Sequence, residues 1–197
     1  MADFKKTLQN VLTCGIPVER NTQPLSFGNR EVCEDLFYSA FREVDKTISE
    51  VIHLPEYEAI IDWMTDTKGK GLILSGSCGR GKTVIISYVI PLLFNHCFGK
   101  IVRPIYAEDI PQEINKYKTQ WIYCIDDVGV ESQVNNYGEK CEGFSTLMSI
   151  AEDRIKPVFI STNLDSKKII TRYGVRTLDR IIRLCYPVKF NGESLRK

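Results

Sequence analysis

The chain alternates short apolar runs with amphipathic stretches, and the alternation predicts strands interleaved with helices. The apolar runs are Gly71 to Ser75, Ile101 to Ala107, Trp121 to Ile125, Pro157 to Thr162 and Pro187 to Phe190. Short runs rich in β-branched and aromatic residues read as buried strands. Pro104 is an awkward feature of the second run, because proline belongs at sheet edges. Glu31 to Ile52 reads as a helix, with Val32, Leu36, Phe37, Ala40, Phe41, Val44 and Ile48 recurring at three- and four-residue steps. Pro55 opens a second helix whose apolar content is Tyr57, Ile60, Ile61, Trp63 and Met64. Val84 to Ile90 reads as a helix packed into a core, which Pro91 kinks or ends. Asp109 to Gln120 is a short polar helix or loop, and Glu131 to Gly143 a polar loop. Phe144 to Arg154, Ser166 to Tyr173 and Val175 to Leu184 are further helices. Strands alternating with helices argue for a parallel sheet with helices on both faces, an α/β fold.

The N-terminal region stands apart from this pattern. Phe4, Leu8, Val11 and Leu12 predict a short amphipathic helix over residues 4–13. Residues 18–30 are polar and turn-rich, with Asn21, Pro24, Gly28 and Asn29, and read as a linker. The division is residues 1–30 as an N-terminal helix and linker, and residues 31–197 as one α/β domain.

Composition narrows the class. A hydrophobic share of 43% is enough for a core, and a net charge of +1 excludes a polyanion binder by bulk charge alone. From Ile155 onward ten Lys or Arg face three acids, so the C-terminal part can face phosphate or simply be a solvated basic surface. The seven cysteines form no C-x-x-C pair, and the two histidines, His53 and His96, lie near no cysteine pair. This predicts a reduced, cytoplasmic protein without a zinc site. The opening Met1 to Lys6 leads into no apolar run, so no secretory leader is expected, and no run has transmembrane length.

The strongest local signal is Gly76-Ser77-Cys78-Gly79-Arg80-Gly81-Lys82-Thr83, which fills every fixed position of G-x-x-x-x-G-K-[ST] between a predicted strand and a predicted helix. Glycines let successive backbone N–H groups turn inward onto an anion, and the helix N-terminus adds partial positive charge. In that context Lys82 reaches the β- and γ-phosphates of a nucleotide, and the Thr83 hydroxyl binds Mg²⁺. The strand ending at Ile125 runs into Asp126 and Asp127. Asp126 is placed to hold Mg²⁺ through water, and Asp127 to orient or deprotonate an attacking water. Asn163, at the end of the next strand, could hydrogen-bond that water or the γ-phosphate, or could serve an Asx turn at the cap of the following helix. Arg176, Arg180 and Arg183 share one helix face, which is either an exposed basic surface or the source of an arginine that completes a site across a subunit boundary.

In this order, the motifs resemble those of the AAA+ ATPases of the DnaC-type helicase loaders and their relatives, the IstB-type transposition helpers. The resembling stretches are Gly76–Thr83, Ile125–Glu131, Arg154–Leu164, Tyr173–Arg180 and Gly192–Arg196, spread over roughly residues 70–197. The resemblance implies a P-loop NTPase of the AAA+ type, with Asp126 and Asp127 as Walker B and Asn163 as sensor 1. Arg180 is then the arginine finger and Arg196 the sensor 2 arginine. It further implies ATP and Mg²⁺, assembly into a ring or spiral, and work on a replicative helicase, or alternatively a transposase, with single-stranded DNA. Two features depart from the family pattern. The stretch from Thr83 to Trp121 is shorter than the loaders' DNA-contacting insertion, and residues 1–30 are small beside the loaders' separate N-terminal domain. Asp127 also stands where fast AAA+ motors carry Glu, which fits slow hydrolysis.

Overall fold

The computed structural model describes residues 13, 24–46, 53–131 and 142–195. The predicted helix over 4–13, apart from Thr13, most of the polar loop before Gly143, and Arg196 lie outside the described residues. Among the described residues five strands form one sheet: β1 (Gly71–Gly76), β2 (Pro104–Tyr106), β3 (Tyr123–Val128), β4 (Val158–Thr162) and β5 (Cys185–Phe190). Their order is β2-β3-β4-β1-β5, and every pairing is parallel. Seven helices surround the sheet among the described residues. They are α1 (Arg30–Val44), α2 (Pro55–Thr65), α3, α4 (Ile110–Tyr117), α5 (Glu142–Arg154), α6 (Ser166–Tyr173) and α7 (Val175–Leu184). Helix α3 begins as Lys82–Val84, widens into a π-helical stretch at Ile85–Val89 and continues as Ile90–Phe98.

The strands read as continuous apolar runs because both faces of the sheet are covered. Leu72, Leu74, Cys124, Phe159, Val188 and Phe190 point to one side, into a core with α1, α2 and α3. Ile73, Tyr123, Ile125, Val158, Ile160 and Cys185 point to the other, against α4 to α7. Pro104 is tolerated because β2 is an edge strand, where a missing N–H costs no ladder bond.

Several boundaries differ from the expectation, each for a local reason. The first helix ends at Val44 rather than Ile52, with Asp45 extended. Asn29 starts it, its side chain accepting from the Val32 N–H at 3.0 Å. Pro91 does not end α3. The wider turn before it, in which the Ile90 N–H reaches Ile85 O, accommodates a residue that has no N–H to donate. Within the stretch read as a linker, Phe27 is buried against Trp63, Phe94 and Phe98, and its N–H donates to Met64 O. The last strand starts at Cys185, two residues earlier than expected. Strand β3 runs through Asp126 and Asp127 instead of stopping before them.

Candidate nucleotide site

The glycine loop follows the C-terminal end of β1, at the sheet edge where ligands of open α/β sheets bind. Gly76, Gly79 and Gly81 all have positive φ (123°, 74° and 89°), a path that side chains resist. Contacts add to the requirement at Gly76, where a Cβ would lie 2.2 Å from Phe190 O. The Ser77 N–H donates to that same carbonyl at 2.9 Å. Ser77 and Cys78 are exposed, and Lys82 is buried at the start of α3. Its ammonium donates to Gly76 O at 2.9 Å and Ser77 O at 2.6 Å, so the charge lies directly over the loop. Arg80 behaves differently. Its side chain turns away from the loop interior and pairs with Glu56 on α2.

The acids at the end of β3 are arranged by a bulge. Ile125 pairs with Ile160 but Val128 pairs with Thr162, so β3 carries one extra residue at Asp126-Asp127. A bulge re-aims side chains that simple alternation would send to opposite faces. Asp127 takes the left-handed conformation, φ 59°, which is uncommon for a residue other than glycine. Its freed N–H donates to Ser161 Oγ at 2.8 Å, and the same hydroxyl donates to Asp126 Oδ1. The Thr162 hydroxyl donates to Val128 O at 2.5 Å, closing the far side of the bulge. Two adjacent hydroxyls on β4 therefore replace the ladder bonds that the bulge removes.

Asp126 is almost fully buried, with the Thr83 side chain near enough to act on its carboxyl. The glycine loop and the acidic strand end therefore meet at these two side chains. Burial pushes the Asp126 carboxyl above its ordinary range, the neighbouring Asp127 charge adds to the rise, and the Ser161 and Thr83 hydroxyls oppose it. A buried carboxylate beside a threonine hydroxyl is a hard oxygen donor set of the kind Mg²⁺ takes. Asn163 Nδ2 lies 3.5 Å from Asp127 Oδ1. The helix cap that competed for Asn163 is made by Asp165, which accepts from the Lys168 N–H at 2.8 Å. Asn163 is thus left facing Asp127.

Behind the acids, Glu131 ties the loop down. Its carboxylate accepts from the Gly129 N–H and Arg172 Nη2, each at 3.0 Å, and from the Tyr173 hydroxyl at 2.7 Å. Gly129 has φ 112°, and a Cβ there would lie 2.6 Å from Leu164 Cδ1, so the turn after β3 packs on the turn after β4. Arg180 sits elsewhere, on α7, where its Nε donates to Glu152 on α5 at 3.1 Å. Arg183 shares Glu152 and also pairs with Asp179. Arg176 is exposed. Arg196 is outside the described residues, but Leu195 before it donates its N–H to Gly79 O at 2.9 Å. Sequence reading missed Ser161, Thr162 and Glu56. The available signal was a polar residue inside an apolar segment, which locates burial but not its partner.

No protein-family profile matches the chain. It is 23% identical over 190 residues to the replicative helicase loader DnaI of Bacillus subtilis (strain 168), a match covering 83% of this chain and 60% of that protein. The chain therefore spans about three fifths of the length of this curated relative. Among solved structures, that of the DnaC helicase loader superposes with a TM-score of 0.59 at 14% identity, covering 77% of this chain and 98% of that one. The fold is that of the DnaC-type AAA+ proteins. AMPPCP-bound DnaA from Aquifex aeolicus shares this AAA+ architecture, with a TM-score of 0.52 at 15% identity over 73% of this chain and 49% of that one. No described helix of this AAA+ fold is long and apolar enough to cross a membrane.

Proposed function

We propose that the chain binds ATP with Mg²⁺ at this site, hydrolyses it slowly, and acts as a replicative helicase loader or DNA replication accessory factor. One observation carries the reading: Lys82 lies over the glycine loop and the buried Asp126 carboxyl ends the neighbouring acidic strand beside Thr83, in a chain similar to a replicative helicase loader. On this reading the backbone N–H groups of Gly76 to Thr83 hold the phosphates, and Lys82 exchanges its loop carbonyls for phosphate oxygens. Thr83 and Asp126 would hold Mg²⁺, which when bound neutralises charge on the phosphate oxygens. Asp127 orients a water and accepts its proton, and Asn163 fixes the Asp127 carboxylate. Arg180 of a second copy completes the site in trans within a homo-oligomer, and Arg196 supplies a further cation. The part of residues 1–30 that precedes Leu25 serves as the partner-binding segment, because Leu25 and Phe27 already pack on the ATPase formed with residues 31–197. The partner is a replicative helicase, with single-stranded DNA a second ligand.

The test is ATP turnover measured alone, with single-stranded DNA, with duplex DNA and with a replicative helicase. Slow basal turnover raised by helicase or single-stranded DNA is expected, and Lys82→Ala is expected to abolish it. Unchanged ATP affinity and turnover in Lys82→Ala would remove the site assignment. Stimulation by duplex DNA alone, with filament formation, would replace the loader by a transposition helper.

A further inference from the structure

Arg80 occupies one of the variable positions of the glycine loop, yet its guanidinium does not face the loop interior. Its side chain is 8% exposed and that of its partner Glu56 is 5% exposed. Nε donates to Glu56 Oε1 at 2.6 Å, and Nη2 contacts the same oxygen. Nη1 points the other way and donates to Glu193 O at 3.0 Å. The guanidinium thus spans α2 on one side and the segment after β5 on the other.

That segment wraps the loop. Phe190 O accepts from the Ser77 N–H and Leu195 N–H donates to Gly79 O, each at 2.9 Å. A Cβ at Gly79 would lie 2.1 Å from Ser194 Oγ, and one at Gly192 2.9 Å from Arg80 Nη1. Tyr57, next to Glu56, donates its hydroxyl to Arg80 O at 3.4 Å. Burying an arginine–carboxylate pair is poor value as stabilisation, because desolvation offsets the attraction. What such a pair does supply is one fixed placement of the groups it joins. A planar fork with donors in two directions can hold Glu56 and the Glu193 carbonyl together. A lysine ammonium on a flexible stem does not reproduce that geometry.

We propose that Arg80 is a positioning residue for the ATP site: paired with Glu56, it straps the segment Gly192–Leu195 across the phosphate loop and so holds the loop in its phosphate-binding form. The proposal rests on the nucleotide reading above. It also makes the coupling reciprocal. Nucleotide on the loop protects the strap, and losing the strap weakens nucleotide binding by the same factor.

The experiment uses the full chain and two readouts. Amide hydrogen exchange across residues 190–195 is followed with and without MgATP, and ATP affinity is measured by calorimetric titration. Arg80→Lys keeps the charge beside Glu56 and loses the bond to Glu193 O. Losing one charge-assisted bond corresponds to about tenfold or more in an equilibrium constant. We expect exchange at Leu195 to quicken by about tenfold in the nucleotide-free variant, MgATP to slow it again, and the ATP Kd to rise only by the inverse of the fraction of molecules whose strap stays closed. Unchanged protection at Leu195 would overturn the strap. Exchange at Leu195 that MgATP does not slow, in the wild type or the variant, would also overturn the proposal, by reducing Arg80 to a purely structural role. Should Arg80→Lys fail to fold, the neutral pair Glu56→Gln with Arg80→Met is read in the same way. A wild-type chain that binds no ATP would sink the nucleotide reading itself, and this is seen before any variant is compared.

Discussion

Replacing Ser161 by alanine tests the acidic strand end directly. The residue is 1% exposed, and its hydroxyl makes two bonds, donating to Asp126 Oδ1 and accepting from the Asp127 N–H at 2.8 Å. Alanine removes both and leaves a buried carboxylate and a backbone N–H short of a partner. A hydrogen bond to a charged group is worth about 1.5–3 kcal/mol, and an orphaned buried donor costs about 1–3 kcal/mol. Because the two bonds share one atom they do not simply add, and we expect a loss of about 2–4 kcal/mol in the nucleotide-free protein. In a chain of this size each kcal/mol moves the thermal midpoint by about 2–4 °C, so the fall is about 4–16 °C. The loss also depends on pH. Burial holds the Asp126 carboxyl above its ordinary range. A carboxyl raised in this way favours the folded state below its unfolded pKa, and that contribution is lost as pH rises through the folded value. Ser161 offsets the loss by stabilising the charged form. The gap between wild type and Ser161→Ala is therefore widest near neutrality and narrows on acidification through the raised Asp126 range. Urea unfolding over a pH series from neutrality into the acid range measures it. A loss below about 0.5 kcal/mol, or one that stays constant across the series, would refute the bridging role given to this hydroxyl.

Three further substitutions separate stability from function. Asp126→Asn removes a buried charge that burial disfavours, so the nucleotide-free thermal midpoint is expected to rise at neutral pH while MgATP turnover is lost; a lower midpoint would count against this account of the burial. Gly129→Ala forces a side chain onto φ 112° and against Leu164, and is expected to cost about 1–3 kcal/mol in chemical denaturation. Adding Leu164→Ala relieves the contact but not the backbone, so full recovery would show the strain to be misplaced. Arg180→Ala breaks a partly exposed pair with Glu152 and is expected to change stability by less than about 1 kcal/mol. If Arg180 acts in trans, turnover of the assembled protein falls by a factor on the order of 10³ with ATP binding intact, whereas equal turnover assigns the role to another arginine.

Much of this protein is legible in one dimension. The parallel sheet follows from apolar runs that pack on both faces, which a linear pattern records directly. The glycine loop is legible because its geometry is set by residues adjacent in the chain, and positive φ at three positions requires the glycines that the pattern shows. The acids at 126 and 127 are legible as a strand end, but their disposition is not. It depends on a bulge stitched by Ser161 and Thr162, which lie on another strand and carry no mark of their partners. At Asn163 the two readings could not be separated for the same reason, and the structure removes only the cap, which Asp165 makes for α6. Arg80 shows the limit most clearly. Its place in the loop suggests a phosphate contact, whereas Glu56, far away in sequence and adjacent in space, turns it outward. The conformation of the glycine loop and the two-sided burial of the strands were determined by the sequence alone. Which distant polar groups satisfy one another was decided by the tertiary structure, because a buried charge must find a partner and only folding brings the candidates within reach.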